Sequence, residues 1–337
     1  MIKHYLNIES FDFESGGHLD NVRIVYHTSG NREGKVIWIC HALTANSDPE
    51  DWWPQIVGEG KILDTSRYFI ICVNILCSAY GSCGPATINP ATGKPFLLTY
   101  PKTTVRDIVK TLEVVRKHLG IKYIDLLVGS SVGGFQAIEW AVSEPELFGH
   151  VIFSATAPVI SPWLAAQTET QRMAIEADPT FREAASLQGG AAGLRCARAQ
   201  ALITYRCYEG YKLTQSEPDP DFLFASRPAS YQQHQGDKLI SRGFDAYSYY
   251  YICNEMDSHN AGRGRGGLRA ALGRIQAPAT VISIDTDTIF PPHEATEWSK
   301  FIPKARHISI TSNFGHDGFL LETEQFTEIL KPILCKF

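Results

Sequence analysis

With 337 residues, 44% of them hydrophobic and 20% charged, the chain can bury a sizeable core, which excludes disorder and suggests about two structural units or one large domain with an insertion. Lys and Arg number 31 against 36 Asp and Glu, a net charge of −5 with no basic block, so no nucleic-acid partner is expected. No apolar run approaches the ~20 residues that span a bilayer, and the N-terminal MIKHYLNIESFDFESGG lacks the apolar core and cleavage site of a secretory signal, so a cytoplasmic protein that does not engage membranes is expected.

In chain order, short apolar and β-branched runs occur at 22–27 (VRIVYH), 36–40 (VIWIC), 69–76 (FIICVNIL), 123–128 (YIDLLV), 151–155 (VIFSA), 280–284 (TVISI) and 307–310 (HISI). Most are continuous rather than alternating, the pattern of strands buried on both faces of a parallel sheet. Helical patterns lie between them. Over 104–119, Val105, Ile108, Val109, Leu112 and Val115 share one stripe, and Gly120 stops the helix. Further helices are predicted at 134–142, 293–301 and 321–334. Strands alternating with helices at this spacing indicate an α/β fold with a mostly parallel sheet flanked by helices.

The pattern breaks between about 160 and 275. Here helical stretches (163–177, 191–209, 229–240) alternate with polar and Gly/Pro-rich segments, and no buried strand is evident. The expected division is a core of 1–159 and 276–337 with a helical lid over 160–275. Cysteines stand at 40, 72, 77, 83, 196, 207, 253 and 335, with no C-x-x-C pair. They read as reduced, mostly buried thiols, and Cys72, Cys77 and Cys83 lack the spacing of a tetrahedral zinc site, so no metal is expected.

Residues 124–134 read IDLLVGSSVGG, a buried strand running into Gly129-Ser130-Ser131-Val132-Gly133 with the helix-like GFQAIEWAV behind it. This is a G-x-S-x-G elbow in its strand–turn–helix context. A serine on so tight a turn projects its hydroxyl above the sheet, and the following helix aims its free N–H groups at a developing oxyanion. In such a site the acid and the histidine follow the serine along the chain. Asp285 and Asp287 both leave the 280–284 strand, and the residues themselves do not separate them. Among the 11 histidines, only His316 lies in a glycine-flanked loop past the last strand. The loop after the third strand, His41-Ala42-Leu43, would supply the Leu43 N–H to an oxyanion site shared with that of Val132. A second glycine pattern, Gly262–Gly267, matches G-x-G-x-x-G, but no strand leads directly into it, which argues against a dinucleotide site.

Long strings across the chain carry a resemblance: CHALTANSD (40–48), YGSCGPATINPATGKPF (80–96), TVRDIV (104–109), GSSVGGFQAIEWA (129–141), QRMAIEADP (171–179), ARAQALITYR (197–206), TDTIFPP (286–292) and GHDGFLLE (315–322). In these the chain resembles the homoserine O-acyltransferases of the α/β-hydrolase superfamily, in particular the homoserine O-acetyltransferases of methionine biosynthesis. The resemblance implies an α/β-hydrolase fold with a helical lid. It also implies a catalytic set of Ser131, Asp287 and His316, Asp287 being the aspartate directly before the x-I/L-F-P run. It further implies Arg198 as the grip on the acceptor's carboxylate, Tyr205 as its companion, and Asp317 as the partner of the acceptor's ammonium group.

The activity implied is acetyl transfer from acetyl-CoA, a donor substrate and not a bound cofactor, to L-homoserine in a homodimeric enzyme. Succinyl transfer, serine as acceptor, or simple ester hydrolysis by the same triad are the alternatives. The chain departs from the commoner family pattern at Ser130 and Val132, where Gly and Met are frequent, and at Cys77-Ser78-Ala79. Both places bear by analogy on the acyl pocket.

Overall fold

Both faces of a central sheet are covered, which is why its strands read as unbroken apolar runs. The computed structural model describes residues 1–337. Strands β1 (Ile2–Asp12), β2 (His18–Gly30), β3 (Val36–Cys40), β4 (Phe69–Val73), β5 (Ile124–Ser130), β6 (Phe148–Ser154), β7 (Ala279–Ile284) and β8 (Ala305–Ile310) form one sheet. Their spatial order is β1-β2-β4-β3-β5-β6-β7-β8, with the first two pairs antiparallel and the rest parallel.

The main helices are α1 (Val105–His118), α2 (Val132–Ser143), α3 (Pro162–Glu176), α4 (Ala191–Tyr205), α5 (Tyr208–Gln215), α6 (Ser226–Ser241), α7 (Ala246–Asp257), α8 (Pro292–Ser299) and α9 (Thr323–Leu334). Trp38, Ile71, Leu127 and Phe153 face one layer, where α1, α2 and α8 pack. Their alternates Ile39, Ile70, Val128 and Ile152 face the other, closed by Phe326, Leu330 and Ile333 of α9. Each such buried side chain contributes roughly 1.5–3 kcal/mol. Helix α1 starts at a capping box formed by Thr104 and Asp107, and Gly120, at φ +71°, ends it.

Helices α3 to α7 all lie between β6 and β7, which are hydrogen-bonded neighbours, so the insertion interrupts the core without disturbing its strand order. Its end is tied down by the glycine pattern noted above. That loop follows α7, not a strand, and precedes a helical turn of only five residues (Leu268–Leu272). Its arginines serve as clamps: Arg263 pairs with Glu14 at 2.9 Å, and Arg265 with the buried Glu139 at 2.5 Å.

Four local features differ from the sequence expectation. Strand β1 is an exposed antiparallel edge whose accessible and partly covered residues alternate, so it presents no apolar run. The strand predicted over 69–76 stops at Val73, because the chain then turns through Cys77 at φ +61°. The helix predicted over 191–209 is two helices, broken where Arg206 is extended (φ −106°, ψ 174°). Helix α7 had no signal, since its Tyr249–Ile252 run is β-prone by composition; Asp245 caps it, accepting the Ser248 N–H at 2.8 Å.

One buried acid sits where α7 meets the core. Glu255 accepts the Thr103 hydroxyl at 2.5 Å, its other oxygen has no partner, and no cation pairs with it. Burial pushes its pKa up to about 8, against smaller opposing hydrogen bonds from Thr103 and Cys77.

Candidate active site

Ser131 stands between β5 and α2 at φ 56°, ψ −126°, a left-handed conformation held by its surroundings. The Ser131 N–H donates to Ser154 O at 3.0 Å, and the Thr156 hydroxyl donates to Ser131 O at 2.9 Å. Strain at a non-glycine residue persists only where neighbours over-determine it, and it concentrates at functional positions. Gly133 is obligatory here: a Cβ would lie 2.0 Å from Cys40 O. That close approach brings the end of β3, and with it Leu43, against the elbow.

The loops after β7 and β8 complete a hydrogen-bonded chain. The Asp287 Oδ2 atom accepts from His316 Nδ1 at 2.8 Å, which leaves Nε2 to accept from the Ser131 hydroxyl at 2.8 Å. Asp287 Oδ1 takes the N–H groups of Ile289 (2.8 Å) and Phe290 (3.0 Å), so both carboxylate oxygens are occupied and the side chain is fixed. Asp285 points elsewhere and accepts the Ser312 N–H at 3.0 Å, pinning the start of the histidine loop. All three of Ser131, Asp287 and His316 are buried. Burial pulls the imidazole down, but the charge and hydrogen bond of Asp287, with a smaller pull from Asp317, outweigh it, and His316 lies above its ordinary pKa. The site therefore favours the imidazolium that forms when His316 takes a proton.

Neither the Leu43 nor the Val132 N–H has an acceptor within the protein. Their loop is braced by groups that carry no sequence motif. His41 is wholly buried, donates through Nδ1 to Ala42 O (2.9 Å) and accepts the Ile75 N–H at Nε2 (3.1 Å). Burial drives its pKa down to about 4, with the Ala42 bond opposing, so it is a neutral strut rather than a second base. Gln136 Nε2 bridges His41 O (3.1 Å) and Val132 O (3.3 Å), tying the two halves of the proposed oxyanion site together.

Above the serine, a pocket of ≈ 180 Å³ is lined by Leu43, Ser131, Arg198, Tyr205, His316 and Asp317 among others. Arg198 lies over the Tyr205 ring (5.4 Å), and its Nη1 is buried without a partner. Tyr205 in turn stands 5.9 Å from the His316 ring. Asp317 Oδ2 lies 3.1 Å from Arg206 Nε, an ion-pair contact in which the buried Nε is not aligned as a hydrogen-bond donor. Burial raises the Asp317 pKa, and Arg206, His316 and Arg198 pull it back in part. Arg206 has no place in the sequence reading. On the other side of the serine a pocket of only ≈ 20 Å³ is bounded by Val132, Leu164, Gln167, Met256, Ile289 and Phe290, with no Lys or Arg on its wall. The Gln167 amide there is buried with neither its oxygen nor its nitrogen paired.

A family model described as alpha/beta hydrolase fold matches residues 35–323. A homoserine O-acetyltransferase from Cyclobacterium marinum is 40% identical, over 96% of this chain and 92% of its own length. The solved homoserine O-acetyltransferase from Staphylococcus aureus superposes with a TM-score of 0.83 at 29% identity, covering 99% of this chain and 95% of that one. Esterase E22 superposes with a TM-score of 0.89 over 99% of each chain, but at 23% identity it speaks only to the fold.

Proposed function

The chain belongs to the homoserine O-acetyltransferase family of α/β-hydrolase proteins, and on that premise we propose that it carries an acetyl group from acetyl-CoA to the hydroxyl of L-homoserine through an ester on Ser131. The product, O-acetyl-L-homoserine, feeds methionine biosynthesis. The observation that carries this reading is the unbroken hydrogen-bond chain Asp287–His316–Ser131 beneath a pocket furnished with Arg198 and Asp317.

The geometry supports a two-stage route. His316 Nε2 takes the Ser131 proton as Oγ attacks the thioester carbonyl carbon, and the oxyanion meets the Leu43 and Val132 N–H groups. The carbon–sulfur bond then breaks, CoA leaves as the thiol with the proton from His316, and the acetyl group remains on Ser131. Homoserine enters and gives its hydroxyl proton to His316 as its oxygen attacks the acetyl carbonyl. Release of the product returns the proton to Ser131. Asp287 holds one tautomer of His316 throughout. Arg198, as a planar fork, suits the acceptor's carboxylate, and Asp317 its ammonium. Fixing the acceptor at both ends lets its hydroxyl outcompete water.

The small pocket favours acetyl over succinyl, since ≈ 20 Å³ takes a methyl group and its wall offers no cation for a distal carboxylate. We read residues 160–275 as the lid. The exposed apolar Tyr208, Leu213, Leu223 and Phe224 on its α5–α6 arm suit a homodimer contact, and the eight free thiols suit a reducing cytoplasm. Thiol release measured with acetyl-CoA and succinyl-CoA, each with L-homoserine and L-serine, tests the reading. Rapid release should require acetyl-CoA with homoserine, and equal release without any acceptor would instead identify a hydrolase.

A further inference from the structure

The break between α4 and α5 is locked to the loop that carries His316. Gly315 sits at φ +60°, and a Cβ there would lie 2.8 Å from the Arg206 carbonyl carbon. Cys207 Sγ donates to Asn313 O at 3.0 Å. From this joint the Arg206 side chain reaches Asp317, Nε to Oδ2 at 3.1 Å, while stacking over Phe314 at 5.8 Å. Arg206 lines the outer groove with Tyr211 and Thr286 and not the pocket above Ser131, whereas Asp317 lines that pocket. The guanidinium thus meets one carboxylate oxygen from the groove side as an ion pair, without hydrogen-bond alignment at Nε.

We propose that Arg206 is a positioning residue that holds the Asp317 carboxylate in place for the acceptor's ammonium group, so that homoserine recognition depends on a residue outside the pocket. The inference rests on the reading of Asp317 given above. A carboxylate held partly out of water is kept an anion, when no acceptor is bound, by a lasting counter-charge beside it. The groups facing it are His316 beside it, Arg198 and Tyr205 from α4, Arg206 at the joint, Tyr211 from α5 and Asp287 after β7. Of these Arg206 exerts the largest downward pull on its pKa. Arg198 is the other arginine, and its guanidinium is assigned to the acceptor's carboxylate. Without Arg206, Asp317 would take up a proton at a higher pH and lose its hold on an ammonium ion.

The test compares Arg206→Gln, Arg206→Lys, Asp317→Asn and the Arg206→Gln/Asp317→Asn double variant, using acetyl-CoA with and without L-homoserine across pH. Arg206→Gln should raise the KM for homoserine about tenfold, as expected for a lost charge-assisted contact, and move the acid limb of kcat/KM for homoserine upward. Acceptor-free CoA release needs the same histidine and serves as the internal reference; its limb should stay in place. Arg206→Lys should recover part of the loss, and the double variant should be no worse than Asp317→Asn alone. If Asp317→Asn raises the KM while Arg206→Gln moves neither KM nor limb, the role of Arg206 is overturned and that of Asp317 survives. If Arg206→Gln lowers both half-reactions equally, Arg206 only supports the fold and the proposal is likewise overturned. If Asp317→Asn itself leaves the KM unchanged, the ammonium site lies elsewhere and the underlying reading fails.

Discussion

The two sides of the pocket are built differently. On the core side, Ser131, Asp287 and His316 ride on loops leaving β5, β7 and β8, and each of their reactive polar atoms already has a partner. On the side of residues 160–275, the proposed lid, Arg198 and Gln167 present buried polar atoms that nothing in the protein satisfies. A buried donor or acceptor left unpaired costs about 1–3 kcal/mol, so such groups mark places where a ligand completes the structure. On the proposed roles, the contrast sets the groups that would react apart from Arg198, which would recognise the acceptor. On those roles the core should carry out the transfer, and Arg198 from the 160–275 segment, acting with Asp317 from the core, should decide what receives the acyl group.

The largest expected effect would break this division at the core. Ser131→Ala should abolish transfer and leave the fold intact, because the strain of the elbow resides in the backbone. Labelled acetyl-CoA without acceptor should leave label on a Ser131 peptide of the wild type, and label on a cysteine peptide would overturn the assignment. Next, Asp287→Asn should lower kcat by about 10⁴-fold in both half-reactions, following the known effect of that change in a serine-protease triad. Asp285→Asn should cost far less, since it loosens only the Ser312 contact.

Changes on the lid should be smaller and one-sided. Arg198→Ala should leave acyl-enzyme formation near wild type and reduce kcat/KM for homoserine by about 10–150-fold, with Arg198→Lys recovering only part. CoA release measured with and without homoserine checks this, and an equal loss in both would place Arg198 in support of the lid. The smallest effect concerns stability. Glu255 has a folded pKa of about 8, above its unfolded value, so the folded state binds the extra proton between the two. Its contribution is therefore intact in acid and lost as pH rises toward 8. Glu255→Gln removes that titration and should stabilise the protein by on the order of 1–2 kcal/mol at pH 8, with no gain near pH 4. Urea unfolding at the two pH values measures it.

How much was legible in the sequence follows the same boundary. Core strands such as β3 and β7 show as continuous apolar runs because both faces are covered, and the elbow shows because its steric demands fix glycines near the serine. The edge strand β1 and the Tyr-rich α7 did not show, the first because partial exposure thins its pattern, the second because tertiary packing overrides local preference. Residue types alone could not separate Asp285 from Asp287; their different partners, Ser312 N and His316 Nδ1, appear only in three dimensions. Gln136 had a faint signal, one helical turn after Val132 on the same face of α2. Arg206 had none, since its link to Asp317 crosses from the insertion to the core.

The placement of the insertion also governs when the protein becomes reactive. Val151 of β6 pairs with Ala279 of β7, so this join must close over the whole of α3 to α7. Closing so long a loop is unfavourable until the helices between have condensed. A chain made from its N-terminus therefore contains Ser131 well before Asp287 and His316 have been added. The nascent protein carries a serine without a base. On the proposed mechanism it gains its base only once the chain past the last strand has been added, by which time residues 160–275 have already been synthesised.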